Sequence, residues 1–79
     1  MRTRDFIAVK ASLSRNIKFL RNKKRLAQEK LALEAGVDRT VISKIERMVS
    51  NPSLDILVKL ATILEVSVHE LLLDPPDHD

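Results

Sequence analysis

The segment DRTVISKIER, residues 38–47, carries the clearest binding chemistry in this 79-residue chain. If the segment is helical, Ile42 and Ile45 mark an apolar face, and basic and hydroxyl groups lie opposite. These groups are Arg39, Thr40, Ser43, Lys44 and Arg47. A helix fits the major groove of duplex DNA, and arginine and lysine are the commonest partners of guanine O6 and N7. The residue types and their spacing therefore favour binding of nucleic acid over catalysis.

Charge is distributed unevenly along the chain, although the net charge is only +3. Residues 13–47 contain ten lysines and arginines against four acids, whereas residues 48–79 contain one lysine against six acids. Residues 1–12 add a net charge of +2. A cationic half beside an acidic half is the footprint of a protein that binds a polyanion. A solvated, lysine-rich surface is the alternative interpretation.

Other chemistries find little support in the residue types. The chain has no cysteine, and neither His69 nor His78 has convincing co-ligands, so we expect no metal site. We find no glycine-rich phosphate loop and no nucleophile–base set, and 79 residues leave little room for a catalytic cleft. We therefore expect no enzymatic activity, no cofactor and no small-molecule ligand.

The N-terminal stretch is basic, but Lys10 interrupts its apolar run, which is too short for a signal or a membrane span. The lack of cysteine suits a reducing compartment. These two features predict a cytoplasmic protein with no membrane partner.

Apolar residues recur at three- and four-residue steps and the chain has a single glycine, which predicts an all-α domain of five helices. A first helix would begin as early as Arg4 and end near Lys23. Its inward stripe would consist of Phe6, Val9, Leu13, Ile17 and Leu20. A second helix fits Gln28 to Ala35, and Gly36 would supply the left-handed residue that ends it.

A third helix is predicted from Asp38, its N-cap, to near Arg47. After the loop MVSNPS, Ser53 would cap a fourth helix. The inward stripe of that helix would be Leu54, Leu57, Leu60, Ala61 and Leu64. The sequence SVHE at 67–70 has the pattern of a capping box and predicts a fifth helix that ends near Leu73.

The second and third helices are joined by only about three residues across Gly36. So short a link forces the two helices to cross steeply, which predicts a helix-turn-helix unit. We expect residues 1–79 to form a single domain. In it, residues 1–12 would extend the first helix, 13–73 would form the five-helix core and 74–79 would be a flexible tail.

Residues 13–72 resemble the phage Cro/repressor-type, or XRE-like, family of helix-turn-helix regulators. The stretch that carries the resemblance is LSRNIKFLRNKKRLAQEKLALEAGVDRTVISKIERMVSNPSLDILVKLATILEVSVHELL. Within it, DRTVISKIER is most similar to the recognition helix of restriction-modification controller proteins. The resemblance implies a compact, lambda-repressor-like five-helix fold. It also implies a homodimer that binds a (pseudo)palindromic operator in double-stranded DNA, with half-sites about 34 Å apart.

The resemblance implies roles for single residues as well. Gln28 would bind a phosphate and buttress the recognition helix, and Arg39 would contact bases. The other outward side chains of the third helix would contact bases or phosphates: Thr40, Ser43, Lys44 and Arg47. The alternatives for these side chains are a solvated group, a local cap or an i,i+4 surface pair.

Arg21 and Glu46 match a pair of the family pattern, in which an arginine of the first helix meets a glutamate near the end of the third. Such a pair would hold the two helices together without contacting DNA. The sequence also departs from the family pattern: Ala27 replaces the usual cap of the second helix, and Met48 replaces the glycine after the third. Val41 replaces the tyrosine that is common in controller proteins. We therefore expect an uncapped second helix and an altered or strained end of the third.

The apolar run near the C-terminus is larger than the last helix of a monomer requires, and it predicts a dimer contact. Its residues are Val66, Val68, Leu71, Leu72 and Leu73. Simple docking of this helix onto the core is the alternative.

Three functions compete at this point. The first, which the sequence favours, is a dimeric transcriptional regulator that reads duplex DNA. The second is an antitoxin-type interaction module of the same fold that neutralises a partner protein. The third is a small nuclease or metal enzyme, which would need an acidic ligand cluster beside the basic face, and the sequence offers none.

Overall fold

The computed structural model describes residues 5–74, and five helices account for most of this segment. The helices are α1 (Phe6–Lys23), α2 (Gln28–Ala35), α3 (Arg39–Glu46), α4 (Leu54–Leu64) and α5 (Val68–Leu72). No strand occurs within residues 5–74. The predicted all-α, five-helix fold is confirmed. The predicted helix start at Arg4 and residues 75–79 of the predicted tail lie outside the described segment.

Side-chain caps begin four of the five helices. Asp5 Oδ1 accepts a hydrogen bond from the Ala8 amide (2.8 Å), and Ser53 Oγ accepts one from the Ile56 amide (3.2 Å). Asp38 caps α3, and the predicted capping box is present at the start of α5. At the start of α2, Ala27 has no side-chain acceptor to offer, so this helix begins without such a cap.

Left-handed residues follow four of the helices, and only one of them is a glycine. They are Arg25 (φ 57°), Gly36 (φ 72°), Met48 (φ 62°) and Glu65 (φ 61°). After α3, the Met48 amide donates to the Ile45 carbonyl (3.0 Å) and the Val49 amide donates to the Lys44 carbonyl (3.0 Å). Each end therefore satisfies carbonyls of the last turn, but the three residues with a Cβ atom do so in a strained conformation.

The core lies where α1 packs against α3 and α5, α2 packs against α3 and α4, and α4 packs against α5. Its buried apolar residues are Leu13, Ile17, Leu31, Ala32, Ile42, Ile45, Leu57, Leu60, Ala61, Leu64 and Leu71. Four predicted members are not among them: Val9 and Leu20 are half-buried, whereas Phe6 is 59% exposed and Leu54 is 68% exposed. Phe6 and Leu54 are the first residues of α1 and α4, and each apolar stripe is covered only from its next member, Val9 or Leu57, onward.

Glu46, at the end of α3, is the residue at which three helices meet. Its carboxylate receives Arg21 of α1 through two bonds, from Nε (2.8 Å) and Nη2 (3.1 Å). The same carboxylate receives Nε2 of Gln28, the first residue of α2 (3.0 Å). The Glu46 carbonyl accepts a bond from Ser14 Oγ of α1 (2.7 Å). Because the Glu46 side chain is only 5% exposed, these donors replace the water that its charge has lost.

The short helix α5 is held against α1 at its C-terminal end. Asn16 Nδ2 of α1 lies within hydrogen-bonding distance of the carbonyls of Leu71 (2.9 Å) and Leu73 (2.8 Å). These carbonyls belong to a helix end, where the backbone has no partner of its own. Asp74, the first residue of the predicted tail, accepts a bond from Ser12 Oγ of α1 (3.1 Å).

We expect Glu46→Ala to lower the free energy of unfolding by roughly 3–5 kcal/mol, because it leaves the Arg21 guanidinium largely buried without its partner. Combining Arg21→Met with Glu46→Leu should recover part of this loss, since no unpaired charge then stays buried. Urea unfolding followed by circular dichroism measures both effects. Lys30 and Glu34, an exposed pair on α2, provide the control, and removing either should cost less than about 1 kcal/mol. An unchanged midpoint in Glu46→Ala would contradict the role given to this carboxylate.

Met48→Gly should raise the free energy of unfolding by about 0.5–1 kcal/mol. Relief of the left-handed strain, roughly 1–2 kcal/mol, outweighs the added entropy of the unfolded chain, roughly 0.4–1 kcal/mol. Met48→Ala is the matched control, because it shortens the side chain but keeps the Cβ atom and its strain. If urea unfolding finds the glycine variant no more stable than the alanine variant, the end of α3 is not strained.

Candidate nucleic-acid interface

The outward surface of α3 is set by the residues that α3 buries. Ile42 and Ile45 are fully buried against the core, so the opposite side of the helix faces solvent. On that side lie Arg39, Thr40, Ser43, Lys44 and Arg47, which we call the α3 face. Its members are exposed except for Ser43, which is half-buried. The structure thus brings together on one surface the five α3 residues that the sequence singled out.

The turn between α2 and α3 orients α3 so that the α3 face is directed away from α2. Gly36 adopts its left-handed conformation, and the Val37 amide donates to the Ala32 carbonyl (3.0 Å) to close the end of α2. Ala32 is buried where the helices pack, and its small side chain allows α2 and α3 to approach closely. Both features belong to the helix-turn-helix arrangement that the short link predicted.

Asp38 caps the first turn of the α3 face. Its Oδ1 atom accepts bonds from the Thr40 amide (2.9 Å) and from Thr40 Oγ1 (2.7 Å). These two bonds, the side-chain one first, lower the pKa of Asp38 below its ordinary value, and the positive charges of Arg39 and Lys44 add to the effect. The cap therefore stabilises the fold fully above the ordinary pKa of an aspartate. Its contribution is lost as the pH falls through the lowered pKa.

The last turn of the α3 face is also ordered by a side-chain bond. Arg47 Nε donates to Ser43 Oγ (3.2 Å), one helical turn earlier. This bond restricts the guanidinium of Arg47 and leaves its two Nη groups as donors. Arg39, one turn before Ser43, and Lys44, between Ser43 and Arg47 in the chain, are both exposed.

Gln28 lies behind the α3 face and not on it. Its Nε2 atom donates to Glu46, so the amide joins the start of α2 to the end of α3. An amide nitrogen has two hydrogens, and the second is the donor that a phosphate contact would use. Arg21, which contacts the same carboxylate, also donates from Nη1 to the Leu26 carbonyl (2.8 Å).

The predicted dimer residues do not all share one surface. Leu71 is fully buried and packs in the core of the monomer, so its assignment to a dimer contact is wrong. Val66, Val68 and Leu72 are half-buried against the core, and Leu73 is 45% exposed. The assignment failed at Leu71 because this residue lies on the inner side of α5, which the apolar run alone does not distinguish.

Phe19 was missed by the sequence analysis. Its ring is 58% exposed and lines an open groove between α1 and α5 together with Leu20, Val66 and Leu73. The available signal was its position off the inward stripe of α1, where a large aromatic side chain has no core to fill. The structure therefore adds the ring of Phe19 to the apolar residues that line the groove between α1 and α5.

Residues 5–74 offer neither a metal site nor a membrane span. No group of three or more His, Cys, Asp or Glu side chains in this segment is arranged to hold a metal ion. None of the five described helices is long and apolar enough to cross a membrane.

Comparison with known proteins places this geometry in a family. Residues 17–71 match the HTH_3 family, described as helix-turn-helix. A protein of Neisseria meningitidis named "Neisseria hypothetical transcription factor" is 38% identical over 69 residues, which are 87% of this chain and 65% of that protein. Control protein C.SmaI of Serratia marcescens is 40% identical over 67 residues, which are 85% of this chain and 80% of that protein.

Solved structures give the same relationship. The crystal structure of the Neisseria protein superposes with a TM-score of 0.83 at 36% identity, covering 95% of this chain and 86% of that chain. The regulator SinR of Bacillus subtilis is 41% identical over 61 residues, which are 76% of this chain and 55% of SinR. A structure of SinR in complex with DNA superposes with a TM-score of 0.73 at 41% identity, covering 76% of this chain and 97% of the SinR segment in that structure.

The chain thus spans just under two thirds of the Neisseria protein and just over half of SinR. The resemblance to helix-turn-helix regulators, restriction-modification control proteins included, is confirmed, and this chain belongs to the HTH_3 helix-turn-helix family.

Proposed function

We propose that this protein is a cytoplasmic, sequence-specific regulator of transcription that binds double-stranded DNA as a homodimer, with α3 in the major groove. The observation that carries the proposal is the α3 face, a cationic and hydroxyl-bearing surface that a buried ion pair holds outward. SinR, a relative with 41% identity, has been solved in complex with DNA. This precedent supports the same partner for the present chain.

The two ends of the α3 face have different tasks in this proposal. Arg39 lies in the first turn of α3, which comes closest to base edges when a recognition helix enters the major groove. Arg47 lies just beyond the last turn, nearer to the sugar–phosphate backbone, with its side chain held by Ser43. The first arginine would then read a guanine and the second would bind a phosphate.

The distribution of charge supports binding to a duplex. Residues 13–47, which contain the later part of α1 and all of α2 and α3, carry a net charge of +6, whereas the acidic residues concentrate in 48–79. Phosphates attract the first part of the chain and repel the second, which favours an orientation with α3 toward the DNA. Gln28 would add a phosphate contact through the amide that Glu46 orients.

Homodimerisation is proposed through the apolar surface between α1 and α5, which is lined by Phe19, Leu20, Val66 and Leu73. Of the other predicted dimer residues, Val68 and Leu72 are half-buried against the core. An isologous contact of this surface with its copy gives the two-fold symmetry that a (pseudo)palindromic operator requires. The hydrogen bonds from Asn16 to the end of α5 keep the surface in one shape.

An antitoxin-type interaction module is the second candidate. SinR has also been solved in a complex with the SinI protein, so a relative of this chain binds another protein. A partner that co-purifies with this chain and forms a stable stoichiometric complex would favour that function.

Substitutions of Arg39 and Arg47 should impair DNA binding in different ways. Arg39→Ala should cost roughly 1–3 kcal/mol on the operator and little on random duplex, because a base contact is lost. Arg47→Ala should weaken all duplexes alike and reduce the slope of log K against log salt by about one, because a phosphate contact is lost. Fluorescence anisotropy, with an operator enriched from a random duplex library and a scrambled duplex at several salt concentrations, separates the two.

Lys59→Ala is the control for these variants, since it removes one exposed positive charge from α4. It should change specificity less than Arg39→Ala does, and the salt slope less than Arg47→Ala does. Equal losses for Arg39→Ala on operator and scrambled duplex would make Arg39 a phosphate anchor. Salt-independent binding by the wild-type protein would contradict the proposed function as a whole.

Leu73→Asp should shift the protein from dimer to monomer at micromolar concentration, because it places a charge in the proposed apolar contact. It should also weaken operator binding, since two half-sites are no longer held by one particle. Leu54→Asp is the matched control: Leu54 is at least as exposed but lies on α4, outside the proposed surface. Analytical ultracentrifugation measures the oligomeric state. A Leu73→Asp variant that remains dimeric would place the contact elsewhere.

A further inference from the structure

The hydroxyl proton of Thr40 is used in a hydrogen bond within the protein, to Asp38. The Thr40 Oγ1 atom lies 2.7 Å from Oδ1 of Asp38, an ordinary distance for an O–H···O hydrogen bond. The pKa of Asp38 is lowered, so near neutral pH this carboxylate is ionised and can only accept. The proton of the bond therefore belongs to Thr40. What the exposed hydroxyl can still offer a ligand is its lone pairs, as an acceptor.

Asp38 itself presents a second acceptor at the same place. Both of its bonds end on Oδ1, and within residues 5–74 no hydrogen bond ends on Oδ2. The side chain is fully exposed at the start of the α3 face. The first turn of α3 thus carries two acceptors, Asp38 Oδ2 and Thr40 Oγ1, on either side of the donor residue Arg39 along the chain.

Acceptors cannot bind a phosphate, because a phosphate ester offers acceptors alone at neutral pH. A carboxylate near the backbone of DNA would be repelled as well. In the major groove the donors are the exocyclic amino groups, N4 of cytosine and N6 of adenine. Guanine and thymine present the acceptors O6, N7 and O4 there, and these would oppose both side chains.

We propose that Asp38 and Thr40 form an acceptor pair that reads the exocyclic amino group of one base in each half-site. This inference rests on the proposed function and specifies the base chemistry that the start of α3 recognises. Arg39 supplies donors for guanine, and the acceptor pair selects cytosine or adenine and rejects guanine and thymine. The charge of Asp38 adds to specificity by disfavouring the wrong bases, since a base that presents an acceptor leaves the carboxylate without a partner.

The test combines substitutions in the protein with base analogues in the DNA, as in a double-mutant cycle. The wild-type protein is titrated against the enriched operator and against duplexes in which one base has lost its amino group. The analogues are 2-pyrimidinone for cytosine and unsubstituted purine for adenine. We expect about a five-fold or larger loss of affinity at one position in each half-site, and the analogue that causes it identifies the base. The same change should cost the Thr40→Val variant less, because one of the two acceptors, Thr40 Oγ1, is already gone.

Asp38→Asn tests the charge while keeping the helix cap, because asparagine and aspartate cap helices about equally well. It should bind scrambled duplex more tightly than the wild-type protein does and discriminate less at the position that the analogues identify. Asp55→Asn, which removes an exposed acid from α4, is the control for net charge and should leave that discrimination unchanged. Urea unfolding of each variant shows that the fold is retained.

Three results would overturn the inference. One is a wild-type protein that tolerates every amino-group deletion. Another is a Thr40→Val variant that loses affinity equally on all duplexes, which would make the hydroxyl a phosphate donor. The third is an Asp38→Asn variant with unchanged discrimination. In each of these cases the proposed function still holds if the wild-type protein selects one operator sequence from the random duplex library. A wild-type protein that enriches no sequence would overturn both.

Discussion

The buried carboxylate of Glu46 is the constraint on which the rest of the molecule depends. A charge at this depth costs several kcal/mol unless it has partners in good geometry. The partners come from three helices: the guanidinium of Arg21 in α1, the amide of Gln28 in α2, and Glu46 itself at the end of α3. Satisfying this one group therefore fixes how α3 lies on α1 and α2. The inward placement of Ile42 and Ile45 then determines which side of α3 is left for a ligand.

The molecule thus separates the groups that hold α3 from the groups that would read DNA. The holding groups are buried or half-buried and are bonded to Glu46, and the α3 face contains none of them. The face is ordered by its own side-chain bonds, from Thr40 to Asp38 in the first turn and from Arg47 to Ser43 in the last. Such order limits the conformational entropy that binding must remove. It also decides which groups act as donors and which act as acceptors, and residue types alone leave that choice open.

The sequence predicted the features that depend on local chemistry. Asp38, Ser53 and the box at 67–70 cap helices through neighbouring backbone groups, and Gly36 adopts the conformation that glycine favours. Among the features that depend on distant parts of the chain, the pair of Arg21 and Glu46 was implied by the family resemblance, whereas others were not predicted. Leu54 continues the apolar stripe of α4 yet is 68% exposed, and Leu71 belongs to an apolar run but is buried in the core. The left-handed residues Arg25 and Glu65 give no local signal, because their conformation is imposed by the way each chain segment must leave its helix. The direction of the bond between Thr40 and Asp38 likewise required coordinates.

The central claim is that the α3 face contacts base edges while the network around Glu46 stays closed behind it. A crystal structure of the protein with its enriched operator tests this claim most directly. The account predicts α3 in the major groove, with a guanidinium nitrogen of Arg39 within hydrogen-bonding distance of a guanine. It also predicts that the bonds from Arg21 and Gln28 to Glu46 are unchanged. A complex in which another surface meets the duplex, or in which Arg21 leaves Glu46 to bind a phosphate, would contradict it.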